Sequence, residues 1–261
     1  MPDKRATLYS GEVDVYFQED DHLYTVVDRA DGGQPYHPAS VTGVLKMSAK
    51  PALIQWAANM ACAHVEKNWK PGKSYDELHI KKVLKDAKYA HRTKAESGKE
   101  FGTLGHQYME SFIRSQSEFG APAAELPEHP EVRSACEQMV AWLDENVEEY
   151  IGCEMLIYSR KLRIASTLDV MARFKGAGLT LTDWKFTSGV YPEYRYQMAA
   201  YAKIFGECYG ETPAQRIVPL WDKKRMKFEP TALEPDTLED DFAAFCGFIA
   251  AHKRFEQLQE P

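Results

Sequence analysis

Leu181-Thr182-Asp183-Trp184-Lys185-Phe186-Thr187-Ser188 is the stretch on which the fold of this chain turns. Successive side chains of a β-strand alternate between faces, so Asp183 and Lys185, two residues apart, project together. The preceding segment, Leu168-Asp169-Val170-Met171-Ala172-Arg173-Phe174, alternates in the same way. Leu168, Val170, Ala172 and Phe174 share one face and Asp169 takes the other. Gly176-Ala177-Gly178 supplies a turn between the two segments. An odd number of loop residues sets Asp169 beside Asp183 and Lys185. An even number separates them, because a slip of one residue turns every side chain over.

Reading outward, residues 153–159, 163–174 and 179–186 predict three consecutive strands. Residues 191–209 predict a helix, with Pro192 near its start and Gly210 at its end. A strand over 215–221, a short one over 226–229 and a terminal helix over 237–257 follow. Upstream, residues 131–150 and 102–115 predict helices joined by a loop over 120–130, and 75–95 a charged helical region. Pro51 opens a helix over 52–66, and residues 13–45 alternate as short antiparallel strands. The order predicts an α/β (α+β) fold, a central mixed β-sheet flanked by helices, with an N-terminal β-hairpin and helical extension. The organisation expected is an N-terminal region of strands and basic helices over 1–100 packed on a core over 101–261, the two forming one continuous structural domain.

Of 261 residues, 44% are hydrophobic and 12% aromatic, which suffices for a sizeable core and excludes wholesale disorder. No apolar run approaches the ~20 residues of a membrane span, and the start lacks the apolar stretch of a signal peptide. A cytoplasmic protein with no membrane partner is expected. Cys62, Cys136, Cys153, Cys208 and Cys246 are widely spaced and odd in number, with no Cys-x-x-Cys pair. That pattern predicts small buried hydrophobes rather than a disulfide framework or a zinc or iron–sulfur cluster. The net charge of −7 opposes polyanion binding, but its distribution does not. Between Lys67 and Lys99 there are ten Lys or Arg and four acids, a net +6, and Lys223-Lys224-Arg225-Met226-Lys227 forms a second basic cluster. Either cluster alone reads equally well as a solvated face, although a local basic surface can bind phosphate even when the total charge is acidic.

Two carboxylates beside an ammonium suit a hard divalent cation, which takes carboxylate oxygens, water and substrate phosphate in octahedral geometry. Lys185 could orient or deprotonate an attacking water, or offset negative charge in the transition state. A lone Asp-x-Lys is usually a surface pair. His106 and Glu110 stand at i and i+4 on one predicted helical face, where the imidazole could join the oxygen ligands of Mg²⁺ or Mn²⁺. Gly102 and Gly105 would let a helix start approach a phosphate. Gln197 and Tyr201 repeat the i, i+4 spacing on the helix that follows Lys185. Each pair in isolation reads as ordinary helix surface.

In order and spacing, Gly102-x-x-x-His106-x-x-x-Glu110, Ser166-Thr167-Leu168-Asp169, Asp183-Trp184-Lys185 and Gln197-x-x-x-Tyr201 resemble the PD-(D/E)xK nuclease superfamily, in its RecB-like and phage-exonuclease-like branch. Pro38-Ala39-Ser40-Val41-Thr42-Gly43-Val44-Leu45, Lys50-Pro51-Ala52-Leu53 and Trp56-Ala57 resemble phage-borne members, so the likeness spans residues 36–205. It implies a restriction-endonuclease-like core and a Mg²⁺- or Mn²⁺-dependent DNase, most simply an exonuclease of phage-type recombination, replication or repair. His106, Asp169, Asp183 and the Trp184 backbone carbonyl would ligate one or two ions. Lys185 would be catalytic, and Glu110 would support the site or ligate a second ion. Gln197 and Tyr201 would contact DNA or order the site. Glu154 would be an outer acid, and Ser166, Thr167, Thr187 and Ser188 could bond phosphates. The second acid is Asp183 rather than Glu, as is common in that branch. The late cysteines lack the grouping that holds an iron–sulfur cluster in some relatives, so none is expected.

The partners implied are linear double- or single-stranded DNA, at its ends, and a single-strand annealing or single-strand binding protein; a homo-oligomer is compatible. Basic helices of residues 51–99 would guide a strand, with Trp56, Trp69 or Tyr75 available to stack a base. Alternatives are an endonuclease of the same superfamily, a non-catalytic DNA-binding protein on this fold, and a purely structural domain.

Overall fold

Three strands carry the architecture. The computed structural model describes residues 4–48, 50–117, 122 and 125–259. In chain order its strands are β1 (Lys4–Leu8), β2 (Val13–Gln18), β3 (Leu23–Asp28), β4 (Pro35–Tyr36), β5 (Ala39–Ser40), β6 (Val147–Ser159), β7 (Ile164–Phe174), β8 (Gly178–Thr182), β9 (Gln215–Asp222) and β10 (Lys227–Leu233). The helices are α1 (Val41–Leu45), α2 (Pro51–Asn68), α3 (Glu77–Ser117), α4 (Pro130–Asn146), α5 (Pro192–Tyr209) and α6 (Leu238–Gln259). Strands β6, β7 and β8 form an antiparallel meander. Phe174 pairs with Gly178, which leaves the three-residue loop Lys175-Gly176-Ala177. The count is odd, and the register runs on to Val170 opposite Thr182.

The larger sheet has the order β10-β9-β8-β7-β5, with β6 also paired to β7; β8–β9 and β5–β7 are parallel, and the other pairings antiparallel. A mixed sheet with helices is therefore what the sequence predicted. A second sheet, β1-β2-β3-β4, is wholly antiparallel. Its inner face (Leu8, Val13, Val15, Phe17, Tyr24 and Val26) packs on Leu156, Tyr158 and Ala165 of β6 and β7.

The chain divides into two compact units: residues 1–48 with 105–261, and residues 49–104. The N-terminal strands, grouped from sequence with the basic helices, fall in the first unit. There, α1, α5 and α6 cover one face of the larger sheet through Val41, Val44, Met198, Phe205, Phe245 and Ile249, against Leu168, Leu181 and Val218. Trp142 of α4 meets Phe174, Trp184 and Phe228 at centroid distances of 5.3–6.5 Å; such contacts add about 0.5–1.5 kcal/mol each beyond area burial. In the second unit, Trp56 of α2 meets His91 edge-on at 6.3 Å, and Tyr75 stacks on His79 at 4.8 Å with Trp69 tilted beside it at 5.3 Å.

Three expectations need correction. The regions 75–95 and 102–115 are one helix, α3, of 41 residues. No proline interrupts it, and its Ala, Lys, Glu and Leu content supports propagation through Gly98, Gly102 and Gly105. Gly102 is thus mid-helix and offers no helix start to a phosphate. The helix over 131–150 ends at Asn146, and β6 begins at Val147 instead of near 153. Register shifts between Val147 and Glu149 and between Tyr150 and Gly152 interrupt the alternation that would have announced the strand. The predicted loop over 120–130 falls partly outside the described residues. Cys136 is buried, as expected of a small hydrophobe, but Cys62 is exposed. Among the described residues no helix is long and apolar enough to cross a membrane.

Candidate metal centre

Strand β7 is paired by β6 along its length. On its other edge β8 reaches only to Val170, and β5 pairs only Ile164 and Ala165. Residues 166–169 lie between, where the edge is open. Past Thr182 the chain leaves β7 and follows β9: Lys185 N–H donates to the Pro219 carbonyl (3.0 Å), and Trp221 N–H donates to the Lys185 carbonyl (2.8 Å). The freed Trp184 N–H donates instead to Asp169 Oδ2 at 2.8 Å. The divergence of β7 and β8 therefore exposes a carboxylate to a backbone donor, a local charge-assisted hydrogen bond.

The pairings on either side align three acids. Cys153 opposite Val170 and Met155 opposite Leu168 put Glu154 opposite Asp169. Continuing the β7–β8 register puts Asp183 opposite Asp169 on the other side. Glu154 is held at φ 50°, in the left-handed region that costs a non-glycine residue of order 1 kcal/mol or more. Just before it, Gly152 lies so near Met155 that a Cβ there would stand 2.8 Å from the sulfur.

His106 of α3 completes the group. Its Nδ1 lies 3.5 Å from Asp169 Oδ2. A Cβ on Gly105 would stand 2.2 Å from Cζ of Phe186, so the missing side chain is what admits that ring against the helix. The Phe186 ring in turn meets His106 edge-on at 5.6 Å. Among the described residues, one ligand atom each from His106, Glu154 and Asp169 lies within 4.8 Å of the other two. An imidazole nitrogen and two carboxylate oxygens suit Mg²⁺ or Mn²⁺, whose opposite ligands stand about 4.2 Å apart, given bonds of about 2.1 Å. The chemistry of this donor set fits such an ion.

Of the expected ligand set of His106, Asp169 and Asp183, the first two lie in this trio. Glu154 stands within the trio, and Asp183 stands beside it with its oxygens turned elsewhere. Gln197 Nε2 donates to Asp183 Oδ1 at 3.2 Å and to the Tyr201 hydroxyl at 2.9 Å, and Ser166 Oγ donates to that hydroxyl at 3.5 Å. Asp183 Oδ2 faces the Lys185 ammonium as an ion pair. Gln197 and Tyr201 are buried, so they order the acid rather than present a surface. Thr167 shares a hydrogen bond with the Tyr24 hydroxyl (2.9 Å). Thr187 Oγ1 donates to the Gly189 carbonyl (3.1 Å), and Ser188 pairs with the Tyr191 hydroxyl (3.0 Å). Glu110, one turn from His106, is engaged by Arg114 at 3.0 Å.

The protonation states follow from this crowding. Burial and the neighbouring Asp183 carboxylate raise Asp169 to about 8, against the pull of Lys185 and the Trp184 N–H. Burial and Asp169 raise Glu154 to about 7, although Lys4 opposes this. Burial and the Lys185 ammonium hold His106 below free imidazole, against Asp183, Glu154 and a backbone hydrogen bond to Trp184. Burial would lower Lys185, but Asp183 and Asp169 outweigh it and hold the ammonium above its ordinary value. The ammonium also sits 5.0 Å over the Tyr194 ring.

Lys4, Tyr24 and Tyr194 stand beside these groups without having been singled out from the sequence, and Glu154, expected as an outer acid, lies in the trio. Position 154, at the start of a predicted strand next to the Asp169 strand, was the available signal for Glu154. Lys4 left none.

No protein family matches the sequence, and no curated protein is similar to it. Among solved structures the chain resembles a crystal structure from Eubacterium rectale, provisionally named an exonuclease, with 10% identity and a TM-score of 0.36. The likeness covers 56% of this chain and 63% of that one. The site is accordingly read from its own geometry.

Proposed function

We propose that this protein is a metal-dependent deoxyribonuclease that hydrolyses DNA phosphodiester bonds, acting as an exonuclease on linear DNA. One observation carries the reading: His106, Glu154 and Asp169 bring one ligand atom each within 4.8 Å of one another, and Asp183, whose charge raises the Asp169 pKa, holds the Lys185 ammonium beside them. Buried acids that raise one another's pKa are costly to assemble and cluster where chemistry needs them. A divalent cation bound there would supply a Lewis acid for the phosphate and activation of a water.

The chain's own residues do the rest. His106, Glu154 and Asp169 would hold the ion. Asp169 also takes the Trp184 N–H, which keeps its carboxylate facing the open edge of β7. Gln197, fixed by Tyr201, keeps Asp183 oriented. Asp183 in turn holds the Lys185 ammonium. With its pKa raised, Lys185 remains a cation at neutral pH, so its role here is to neutralise charge developing on phosphate and to orient water. The choice of DNA ends as substrate rests on the resemblance of the motif order to the phage-exonuclease-like branch.

The test follows end-labelled linear duplex, linear single-stranded DNA and a closed circle with Mg²⁺, Mn²⁺ or EDTA. The expected result is progressive shortening of linear DNA with either cation, an intact circle, and no cleavage in EDTA. Asp183→Ala should abolish cleavage and retain DNA binding in EDTA. Circle cleavage would move the assignment to an endonuclease. Binding without cleavage in any metal would leave a DNA-binding protein on this fold.

A further inference from the structure

Between α2 and α3 the chain holds a row of rings. Trp69 follows the last residue of α2, and its N–H donates to the Val65 carbonyl at 2.9 Å. Gly72, at φ 78°, lets the chain turn back. The Tyr75 hydroxyl then accepts from the Lys70 N–H at 2.8 Å and donates to the Asn68 carbonyl at 3.3 Å, one of those that the end of α2 leaves open. Asp76, just before α3, accepts from the His79 N–H at 2.7 Å, as an N-cap does. The hydroxyl thus fixes the Tyr75 ring, and the cap fixes the backbone of His79. The His79 and Tyr75 planes lie 20° apart, and those of Trp69 and Tyr75 31° apart. Rings held in place before a ligand arrives cost little ordering when it binds.

Of the three rings that the sequence offered for stacking, Trp56 is half-buried against His91 and Tyr75 is half-buried within the row. Trp69 is 57% exposed. A groove of about 70 Å³ is lined by the row together with Val65, Ile80 and Leu84, the last two also exposed. An exposed apolar groove rimmed by polar residues marks an interaction site.

Charge decides the occupant. Residues 67–85 hold six lysines and two acids, a net +4. Asp76 is engaged by its cap and Glu77 by Lys81. Lys67, Lys70 and Lys73 are exposed, and the Lys73 ammonium stands 5.9 Å over the Tyr75 ring. Lysines beside an exposed indole fit a polyanion whose units each carry a flat π-face, with phosphates meeting ammonium groups and bases meeting rings. A duplex does not fit, because its bases stack on one another and offer only their edges in the grooves. An apolar protein partner would not need the lysines.

We infer that Trp69, supported by Tyr75 and His79, is a stacking platform for single-stranded DNA, with Lys67, Lys70 and Lys73 meeting its phosphates. That the strand is DNA rests on the nuclease reading above; the platform lies wholly within residues 49–104. It takes any base sequence, since every base has a π-face.

The experiment measures binding of the full chain in EDTA to an end-labelled thymidine oligomer, an abasic strand of the same length and a blunt duplex, by fluorescence anisotropy. Wild type is expected to bind the thymidine oligomer about 5- to 150-fold more tightly than the abasic strand, the worth of one stacked base. Trp69→Ala should lose that margin and leave the abasic strand and the duplex unchanged, while Trp69→Phe keeps most of it. Changing Lys67, Lys70 and Lys73 together to Gln should weaken both single strands alike. Equal binding of the thymidine and abasic strands by wild type would overturn the platform, whether or not any variant folds. A margin that survives Trp69→Ala would also overturn it and leave the rings to a protein partner. A loss in Trp69→Ala that is equal for all three ligands would overturn the stacking role. The expected margin without cleavage in Mg²⁺ or Mn²⁺ would support the platform and overturn the nuclease reading. Cleavage without the margin would do the reverse.

Discussion

The two compact units of this chain handle charge in opposite ways. Residues 49–104 hold eleven Lys or Arg against six acids, a net +5 in a chain of −7, so the remaining residues carry −12. In the basic unit α2 has no buried residue, and Leu53, Ile54, Trp69, Leu78 and Leu84 are exposed. In the acidic unit Asp183 is 1% exposed and Gln197 7%, both within one hydrogen-bonded network. Where charge is buried, the groups are held by named partners, and the pKa values of Asp169, Glu154 and Lys185 are raised. Where charge is spread over helix surfaces it stays solvated and available to a polyanion. Two glycines of α3 show the same contrast. A Cβ at Gly98 would meet nothing within 4 Å, whereas one at Gly105 would strike the Phe186 ring.

The largest expected effect separates the units outright. Asp169→Asn removes a trio ligand and the acceptor of the Trp184 N–H. Mn²⁺ affinity and cleavage should fall by more than about a hundredfold, because outer partners of metal sites alone are worth about 10–100-fold. DNA binding in EDTA, if it belongs to the basic unit, should be unchanged; a parallel loss of binding would break the contrast.

Next comes the glycine pair. Gly105→Val should destabilise by about 1–3 kcal/mol through overpacking and weaken Mn²⁺ binding by displacing His106. Gly98→Ala should raise stability by about 0.5–1 kcal/mol, the usual gain in a helix interior. Thermal melts of the two variants decide it, and equal effects would dissolve the distinction.

Acidity sharpens it further. Asp169 at about 8 and Glu154 at about 7 stand above their unfolded values of 3.8 and 4.5. The folded state therefore binds more protons than the unfolded one between roughly pH 4 and 8, and stability falls as pH rises through that window. Metal-free protein should melt lower at pH 8 than at pH 5.5, with Mn²⁺ restoring stability at pH 8. A melting temperature of metal-free protein that rises over this range would contradict the crowding of the acids.

The smallest effect concerns the basic unit. Replacing Lys81, Lys82 and Lys85 together by Gln should weaken DNA binding in EDTA. It should also flatten the dependence of log K on log salt by about 0.7–0.9 per lost phosphate contact. Mn²⁺ affinity should not move.

Much of the site was legible because it rests on short-range periodicity. The three-residue loop and the alternation of strand side chains set the register that brings Val170 opposite Thr182, one residue short of Asp169 and Asp183. His106 with Glu110, and Gln197 with Tyr201, share helix faces by the i, i+4 rule. Glu154 was harder to rank, because bulges and a left-handed residue blur the pattern of β6. The helix start expected at Gly102 was wrong because nothing local stops α3 there.

By itself, then, the sequence determined which residues share a face within a helix or hairpin, since those relations follow from fixed backbone periods. Only the tertiary structure decided that β8 parts from β7 at Asp183, that Phe186 closes on Gly105, and that Lys4 reaches Glu154 across 150 residues. Such contacts depend on how separate sheets and helices pack, and no period of the chain encodes that.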